Sequence, residues 1–221
     1  MPVTVVKVGG SLSQKPQALK DLCVKLSEFA KTHPLVMVPG GAEFADCVRA
    51  LDKRFSLPAT TAHKMAILGI DQYGLLLSSL TPDGFIVDSL EEAKGAKAGR
   101  VVVFLPSRFM LGDDGLENSW DVTSDSISAY IADRLGAEKV LLLKDVDGIF
   151  TEDPKKAANA KLIPNITAQQ LSASNQRTNV DTYLPKLLLK SQLKCYIING
   201  LHPERIQAIL NGKDTVCTVI T

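Results

Sequence analysis

The chain carries almost no net charge: 25 Lys and Arg stand against 24 Asp and Glu in 221 residues, a formal +1. The two signs are interspersed, so the basic footprint of a nucleic-acid or membrane-surface binder is missing. Long apolar runs are missing too. The longest, 101–105 and 140–143, fall far short of the roughly 18 residues that a membrane-spanning helix needs. Residues 1–4 lead straight into a strand-like run, without the charged and apolar regions of a secretory leader. Cysteine is sparse. Cys23, Cys47, Cys195 and Cys217 are scattered, with no C-x-x-C spacing and no nearby histidine partner, which argues against a disulfide framework or a metal site. Buried free thiols in a reducing cytoplasm are the expectation. Two phosphate-binding signatures are also absent, G-x-x-x-x-G-K-S/T and G-x-G-x-x-G, which counts against P-loop kinases and dinucleotide dehydrogenases.

What is present alternates. Short β-branched runs at 3–8, 35–38, 85–87, 101–105, 139–144, 195–198 and 215–220 read as strands. Between them, helical spacing covers 17–31, 43–55, 61–80, 126–135, 168–173, 182–192 and 204–210. The strands do not alternate apolar with polar residues, so they are buried on both faces. Interleaved with helices, they predict an α/β fold with a mostly parallel sheet. No internal repeat or linker interrupts the pattern.

Polar groups collect where these strands end, and ligands gather at the carboxyl ends of parallel strands. The first strand stops at Lys7-Val8-Gly9-Gly10-Ser11. Glycines there let main-chain N–H groups approach a phosphate, and the following helix adds its positive end. A plain Gly-Gly turn is the alternative. The second strand stops at Val38-Pro39-Gly40-Gly41, so two glycine turns follow successive strands, as paired phosphate cradles would. Thr123-Ser124-Asp125-Ser126 opens a helix, where Ser and Asp serve as caps. Asp125 would repel a phosphate, so its chemical use is to hold and orient lysine ammonium groups. The most apolar strand ends in Lys144-Asp145-Val146-Asp147-Gly148-Ile149-Phe150, followed by Asp153-Pro154. Charges at a buried strand end are costly unless paired or met by a ligand; a nucleotide site and a solvated loop are the two readings. Lys186 near a helix start opposes the helix dipole unless an anion compensates it.

In this order the motifs resemble the amino-acid kinase superfamily, whose members include acetylglutamate, aspartate, uridylate and isopentenyl phosphate kinases. The resemblance covers nearly the whole chain. It implies a three-layer αβα sandwich forming one domain, 1–221, with an acceptor half at about 1–138 and an ATP half at about 139–221. By resemblance, Lys7 and Lys186 flank the transferring phosphoryl group and Asp125 fixes their positions. Gly9, Gly10, Ser11, Lys144, Asp145, Asp147, Gly148, Phe150 and Asp153 serve the ATP side, with Mg²⁺ carried on the phosphates and no dedicated metal ligands. The Gly-Met pair that the superfamily places before the second lysine is replaced here by Asp181-Thr182-Tyr183-Leu184.

Within the superfamily, the chain is similar to the aminomethylfuran phosphate kinases of methanofuran biosynthesis. That likeness rests on Phe44-Ala45-Asp46 and Val48-Arg49, on residues 62–68 and 71–74, and on Trp120-Asp121-Val122-Thr123-Ser124-Asp125. The acceptor is then a small amine-bearing phosphate monoester, held by Gly40, Gly41, Glu43, Asp46, Arg49, His63 and Asp71. Glu43, Asp46 and Arg49 share a helix face by their spacing of three, offering carboxylates to an ammonium and a guanidinium to a phosphate. A wet Asp46–Arg49 ion pair explains part of that pattern equally well. His63 is either an acceptor contact or an ordinary packed residue, and Trp120 either walls the acceptor pocket or packs elsewhere. Other acceptors, such as UMP, isopentenyl phosphate or an acylamino acid, stay open, as does a non-catalytic oxyanion store. Superfamily relatives imply a homo-oligomer.

Overall fold

A computed structural model describes residues 2–174 and 179–221. The strands β1 (Thr4–Val8), β2 (Leu35–Pro39), β3 (Phe85–Val87), β4 (Val102–Phe104), β5 (Lys139–Lys144) and β9 (Lys194–Asn199) run parallel. Their order is β3-β4-β2-β1-β5-β9. The sheet continues into β10 (Thr218–Ile220), antiparallel to β9, and then β8 (Asn165–Ile166), parallel to β10. A separate antiparallel hairpin joins β6 (Ile149–Phe150) to β7 (Leu162–Ile163). β1 and β2 are buried at every position, as continuous apolar runs in a covered parallel sheet should be.

The pleat divides β1 between two cores. Val5 faces one core with Val140, Leu142 and Ile197, beneath Ile127 and Ile131 of α6 (Ser124–Arg134). Val6 and Val8 face the other with Leu141 and Leu143, against Leu19, Leu22 and Leu26 of α1 (Pro16–Ala30) and Ile206 of α9 (Pro203–Leu210). Helices thus cover both faces of the mostly parallel sheet. The helix α2 (Ala42–Phe55) packs along α3 (Ala59–Leu80), and α3 serves both cores, Ile67 and Ile70 on one side and Tyr73 and Leu77 on the other.

Several elements differ from expectation. The helix predicted over 182–192 is confined to α8 (Leu184–Leu188). The Asp181 side chain accepts the Leu184 N–H at 2.9 Å and Pro185 follows in the first turn, which sets the start there. At the other end Lys190 and Ser191 close three-residue turns onto Leu187 and Leu188, and the chain must reach β9 by Lys194. The last strand is likewise shorter than predicted, beginning at Thr218 rather than 215. Short elements too brief for periodicity were not foreseen: α4 (Leu90–Lys94), α5 (Ser107–Met110) and the strands β7 and β8, whereas β6 is the short extended piece expected after Gly148. The expectation of four buried thiols holds for Cys23, Cys195 and Cys217; Cys47 is exposed, on the outer side of α2. No helix among the described residues is long and apolar enough to cross a membrane.

Candidate active site

The register of β1 on β5 sets the central feature. Lys7 lies opposite Leu142, so Lys7, Leu142 and Lys144 project to the same face of the sheet, toward α6. Asp125, in the first turn of α6, receives both lysines: Lys7 Nζ is 2.9 Å from Oδ1 and Lys144 Nζ is 2.6 Å from Oδ2. Lys7 and Asp125 are almost fully buried and Lys144 nearly so. Burial pulls the Lys7 ammonium down to about 8, against the opposing pull of Asp125. Burial alone would raise Asp125; the charges of Lys144 and Lys7 outweigh it and hold the carboxyl well below the usual range. The triad is therefore two cations sharing one anion.

Asp125 is fixed in turn by Asp181. One Asp181 oxygen accepts from Thr123 N, Thr123 Oγ1 and Ser126 N at 2.9, 2.8 and 3.0 Å. The other accepts from Ser126 Oγ and Leu184 N. Thr123 is the N-cap of α6 and receives the Asp125 N–H, so the capping role and the lysine-holding role coexist in one turn. Burial, then the charge of Asp125, raises the Asp181 carboxyl.

Lys186 is not part of this cluster. It is exposed on the short α8, with its ammonium 5.5 Å from the Tyr183 ring centre. The second lysine on Asp125 is Lys144, because β5 carries it onto the right face while α8 turns Lys186 to solvent.

The glycine turns pack against one another. Gly9 N–H donates to Leu143 O at 3.0 Å and Gly40 N–H to Val8 O at 2.8 Å. Both donors are taken by main-chain carbonyls of the sheet, so the Gly9 N–H is not the free phosphate donor that was expected. A Cβ on Gly10 would lie 2.4 Å from Ala42 N, so glycine there is required by the contact between the two loops. Gly10, Ser11, Gly41 and Ala42 face a cavity of about 510 Å³. Ala42 adopts φ +44°, a left-handed conformation that costs about 1 kcal/mol or more for a residue with a Cβ.

That cavity runs beside α2 and is walled by Ala45, Ile67, Ile70 and Ile127. Asp46, Arg49, His63 and Trp120 all line it. Arg49 binds Asp46 at 2.8 Å and stacks 4.8 Å from the Trp120 ring centre. Trp120 Nε1 donates to Asp52 Oδ2 at 2.8 Å. His63 is half-buried, its pKa lowered by burial against a hydrogen bond to the Ser119 backbone. Two expected acceptor residues stand elsewhere. Glu43 accepts from Ser13 Oγ at 2.9 Å and Gln14 Nε2 at 2.8 Å, tying the two glycine turns together. Asp71 accepts the Ser107 N–H at 3.1 Å, capping α5, and burial raises its carboxyl.

On the far side of the triad, Asp145 accepts from Ser11 Oγ at 3.1 Å and pairs with Lys155. Asp147 accepts from Asn199 at 2.9 Å and Arg205 at 2.6 Å. Gly148 presses on Thr218, where a Cβ would meet Oγ1 at 2.4 Å. Phe150 lies in β6, and the exposed Asp153 receives the Lys155 N–H at 3.0 Å. The strand-end charges are thus paired within the chain. Among the described residues no group of three or more His, Cys, Asp or Glu could hold a metal ion.

Sequence reasoning missed Asp52 and Asp181. Asp52 looks like one of many charges on an exposed helix face. Asp181 had a signal: an acidic residue two before Tyr183-Leu184-Pro185 is placed to cap a helix start.

Known proteins are similar to this chain along its whole length. A protein of Methanocaldococcus jannaschii named "[5-(aminomethyl)furan-3-yl]methyl phosphate kinase" is 36% identical over 98% of this chain and 96% of its own length. A uridylate kinase of Pyrococcus abyssi is 26% identical over 97% of this chain and 98% of its own. The crystal structure of uridylate kinase from Archaeoglobus fulgidus superposes with a TM-score of 0.77 over the full length of both chains, at 22% identity. Residues 2–217 match the model of the Amino acid kinase family, and with Lys7, Lys144 and Asp125 assembled at its strand ends the chain belongs to that family of phosphotransferases.

Proposed function

We propose that the chain transfers the terminal phosphoryl group of ATP to the phosphate of a small monoester, giving a diphosphate. The acceptor is the one named for its 36% identical relative, [5-(aminomethyl)furan-3-yl]methyl phosphate. The observation that carries this reading is the buried Lys7–Asp125–Lys144 cluster, whose Asp125 directly follows Thr123 and Ser124 in the wall of a mostly apolar cavity. Phosphoryl transfer demands two anionic reactants in line and neutralisation of the charge that develops between them. Lys7 and Lys144 supply two positive charges against the one negative charge of Asp125, and Asp125 keeps both in place without touching substrate. Gly10, Ser11 and Gly41 lie where main-chain donors serve the phosphates, and the start of α2 adds its dipole. Mg²⁺, when bound, neutralises the ATP phosphates. The part-exposed Asp145 beside Ser11 is the carboxylate suited to its water shell. Residues 1–138 form the acceptor half and 139–221 the ATP half of one domain. A cytoplasmic location and a homo-oligomer belong to the same reading; light scattering at micromolar concentration tests the latter.

The decisive experiment offers the aminomethylfuran phosphate, UMP, isopentenyl phosphate and N-acetylglutamate with ATP and Mg²⁺, following ADP release. The furan ester is expected to show the highest kcat/KM. A higher value for UMP or N-acetylglutamate removes the acceptor while leaving the kinase.

A further inference from the structure

We propose that Asp52 receives the ammonium group of the acceptor at the far end of the cavity and thereby selects an amine-bearing phosphate monoester over uncharged ones. The inference rests on the cavity being the acceptor site.

Distance decides between the carboxylates that line the cavity. The phosphate end is marked by Gly41 and Ala42, and the cavity then follows α2 to Asp52 and Leu57. Ten helical residues from Ala42 to Asp52 span about 15 Å. In the proposed acceptor, nitrogen and phosphorus are about 8 Å apart, at about 1.5 Å per bond. Adding a hydrogen bond of about 2.8 Å at each end, and an Asp side chain of about 2.5 Å, brings the reach to about 16 Å. Asp52 matches that span. Asp46, only four residues along the helix and so about 6 Å from Ala42, does not.

Charge points the same way. Asp46 is engaged by Arg49 at 2.8 Å. Asp52 has no ion pair among the described residues; its oxygens accept one N–H each, from Leu57 N at 3.1 Å and Trp120 Nε1 at 2.8 Å. An ionised carboxylate has about four acceptor positions, so capacity remains for an ammonium donor. The group is half-buried, where an unneutralised charge is costly until a cation arrives. Its orientation is set beforehand, because Trp120 is held by Asp52 on one edge and by the Arg49 guanidinium over its ring. Of the cations on this wall, Arg49 is paired with Asp46 at 2.8 Å, and His63 has its pKa lowered by burial and so supplies no competing charge at neutral pH. The remaining walls, Ala45, Ile67, Ile70 and Ile127, suit a flat apolar ring between the two charged ends.

The test compares the aminomethylfuran ester with the same ester carrying methyl in place of aminomethyl, for the wild type, Asp52→Asn and Asp52→Glu. A charge-assisted contact gives roughly tenfold to a hundredfold preference for the amine in the wild type. Asp52→Asn is expected to abolish most of that preference, chiefly through KM for the amine, and Asp52→Glu to restore part of it. Preference retained in Asp52→Asn overturns the assignment, as does equal loss of both esters in both variants, which marks Asp52 as structural. A wild type that turns over neither furan ester but phosphorylates UMP or isopentenyl phosphate overturns the acceptor reading itself, and the role of Asp52 falls with it.

Discussion

Lys7 and Lys144 leave neighbouring parallel strands on the same face and grip opposite oxygens of one carboxylate, Asp125, at 2.9 and 2.6 Å. Two ammonium groups this close repel, and the shared anion makes the arrangement tolerable while leaving one positive charge in excess. That excess lies where a phosphoryl group gains negative charge in transfer, so each lysine acts through preorganisation. Lys144→Ala is expected to lower kcat about a hundredfold to a thousandfold. Lys186→Ala, removing an exposed side chain, is expected to change it only a few-fold. Steady-state ADP release from the two variants checks this; the opposite order would restore Lys186 to the centre.

The ionisation of Lys7 makes the enzyme sensitive to alkali. Its ammonium titrates at about 8 instead of the ordinary 10.5, because burial outweighs the attraction of Asp125. ATP itself does not titrate in this range, and kcat/KM for ATP reports the free enzyme. That ratio is expected to fall as pH rises through about 8. The stability contribution has the other sign. Between about 8 and 10.5 the unfolded chain binds the proton that the folded chain has lost, so this group makes stability rise with pH there. A pH–rate profile beside a pH series of melting temperatures separates loss of the proton from alkaline unfolding.

The sheet was legible because its strands are unbroken apolar runs between helices of clear period, and Lys7 and Asp125 because they sit at a strand end and a helix start; Lys144 was read onto the ATP side and not as the second lysine on Asp125. Lys186 stands apart from Asp125 for a physical reason: its distance from the sheet depends on where α8 begins, and that is set by the Asp181 side chain rather than by periodicity. The partners of Glu43 were not legible, because sharing a helix face does not say what the face meets; it meets Ser13 and Gln14. Asp52 could not be singled out, since its meaning comes from Trp120, 68 residues away in sequence.

Asp181 is the support on which the start of α6 rests. It takes five donors from Thr123, Ser126 and Leu184. Asn in its place presents an amide to donors that need an acceptor, leaving buried groups unsatisfied at about 1–3 kcal/mol each. Asp181→Asn is expected to lose about 3 kcal/mol, or about 10 °C in melting temperature for a chain of this size. A fall of kcat larger than any change in KM for ATP would accompany it, because Asp125 shifts with the turn. An unchanged melting temperature would show that the turn holds without this carboxylate.

Glu43 and Asp71 differ from Asp52 in what they touch. Each is committed to a neighbouring element, Glu43 to the first glycine turn and Asp71 to the N–H of Ser107. Asp71→Ala is expected to cost about 1 kcal/mol by uncapping α5, with KM for the acceptor within a factor of about two of the wild type. Thermal unfolding and acceptor kinetics on one preparation check both halves.

The contact between the glycine turns is the least forgiving part of the site. A Cβ on Gly10 would stand 2.4 Å from Ala42 N and 2.7 Å from Ala42 Cα. Both are backbone atoms, so no side-chain rotation relieves the clash. Ala42 already occupies a left-handed conformation at φ +44°, leaving the second turn little freedom to retreat. Gly10→Ala must therefore push the two turns apart, along with the cavity mouth they form. Such overpacking costs about 1–3 kcal/mol, which a domain of this size survives. The displacement bears on catalysis directly, because a shift of about 1 Å in a positioning element lowers turnover about a hundredfold. Gly10→Ala is expected to remain folded by circular dichroism, with kcat reduced about that much. Ala42→Gly removes the left-handed strain and so frees the second turn to retreat from the new methyl; it is expected to recover part of the loss in the double variant. No recovery in the double variant would show that the strained backbone of Ala42 is not what keeps the second turn from retreating.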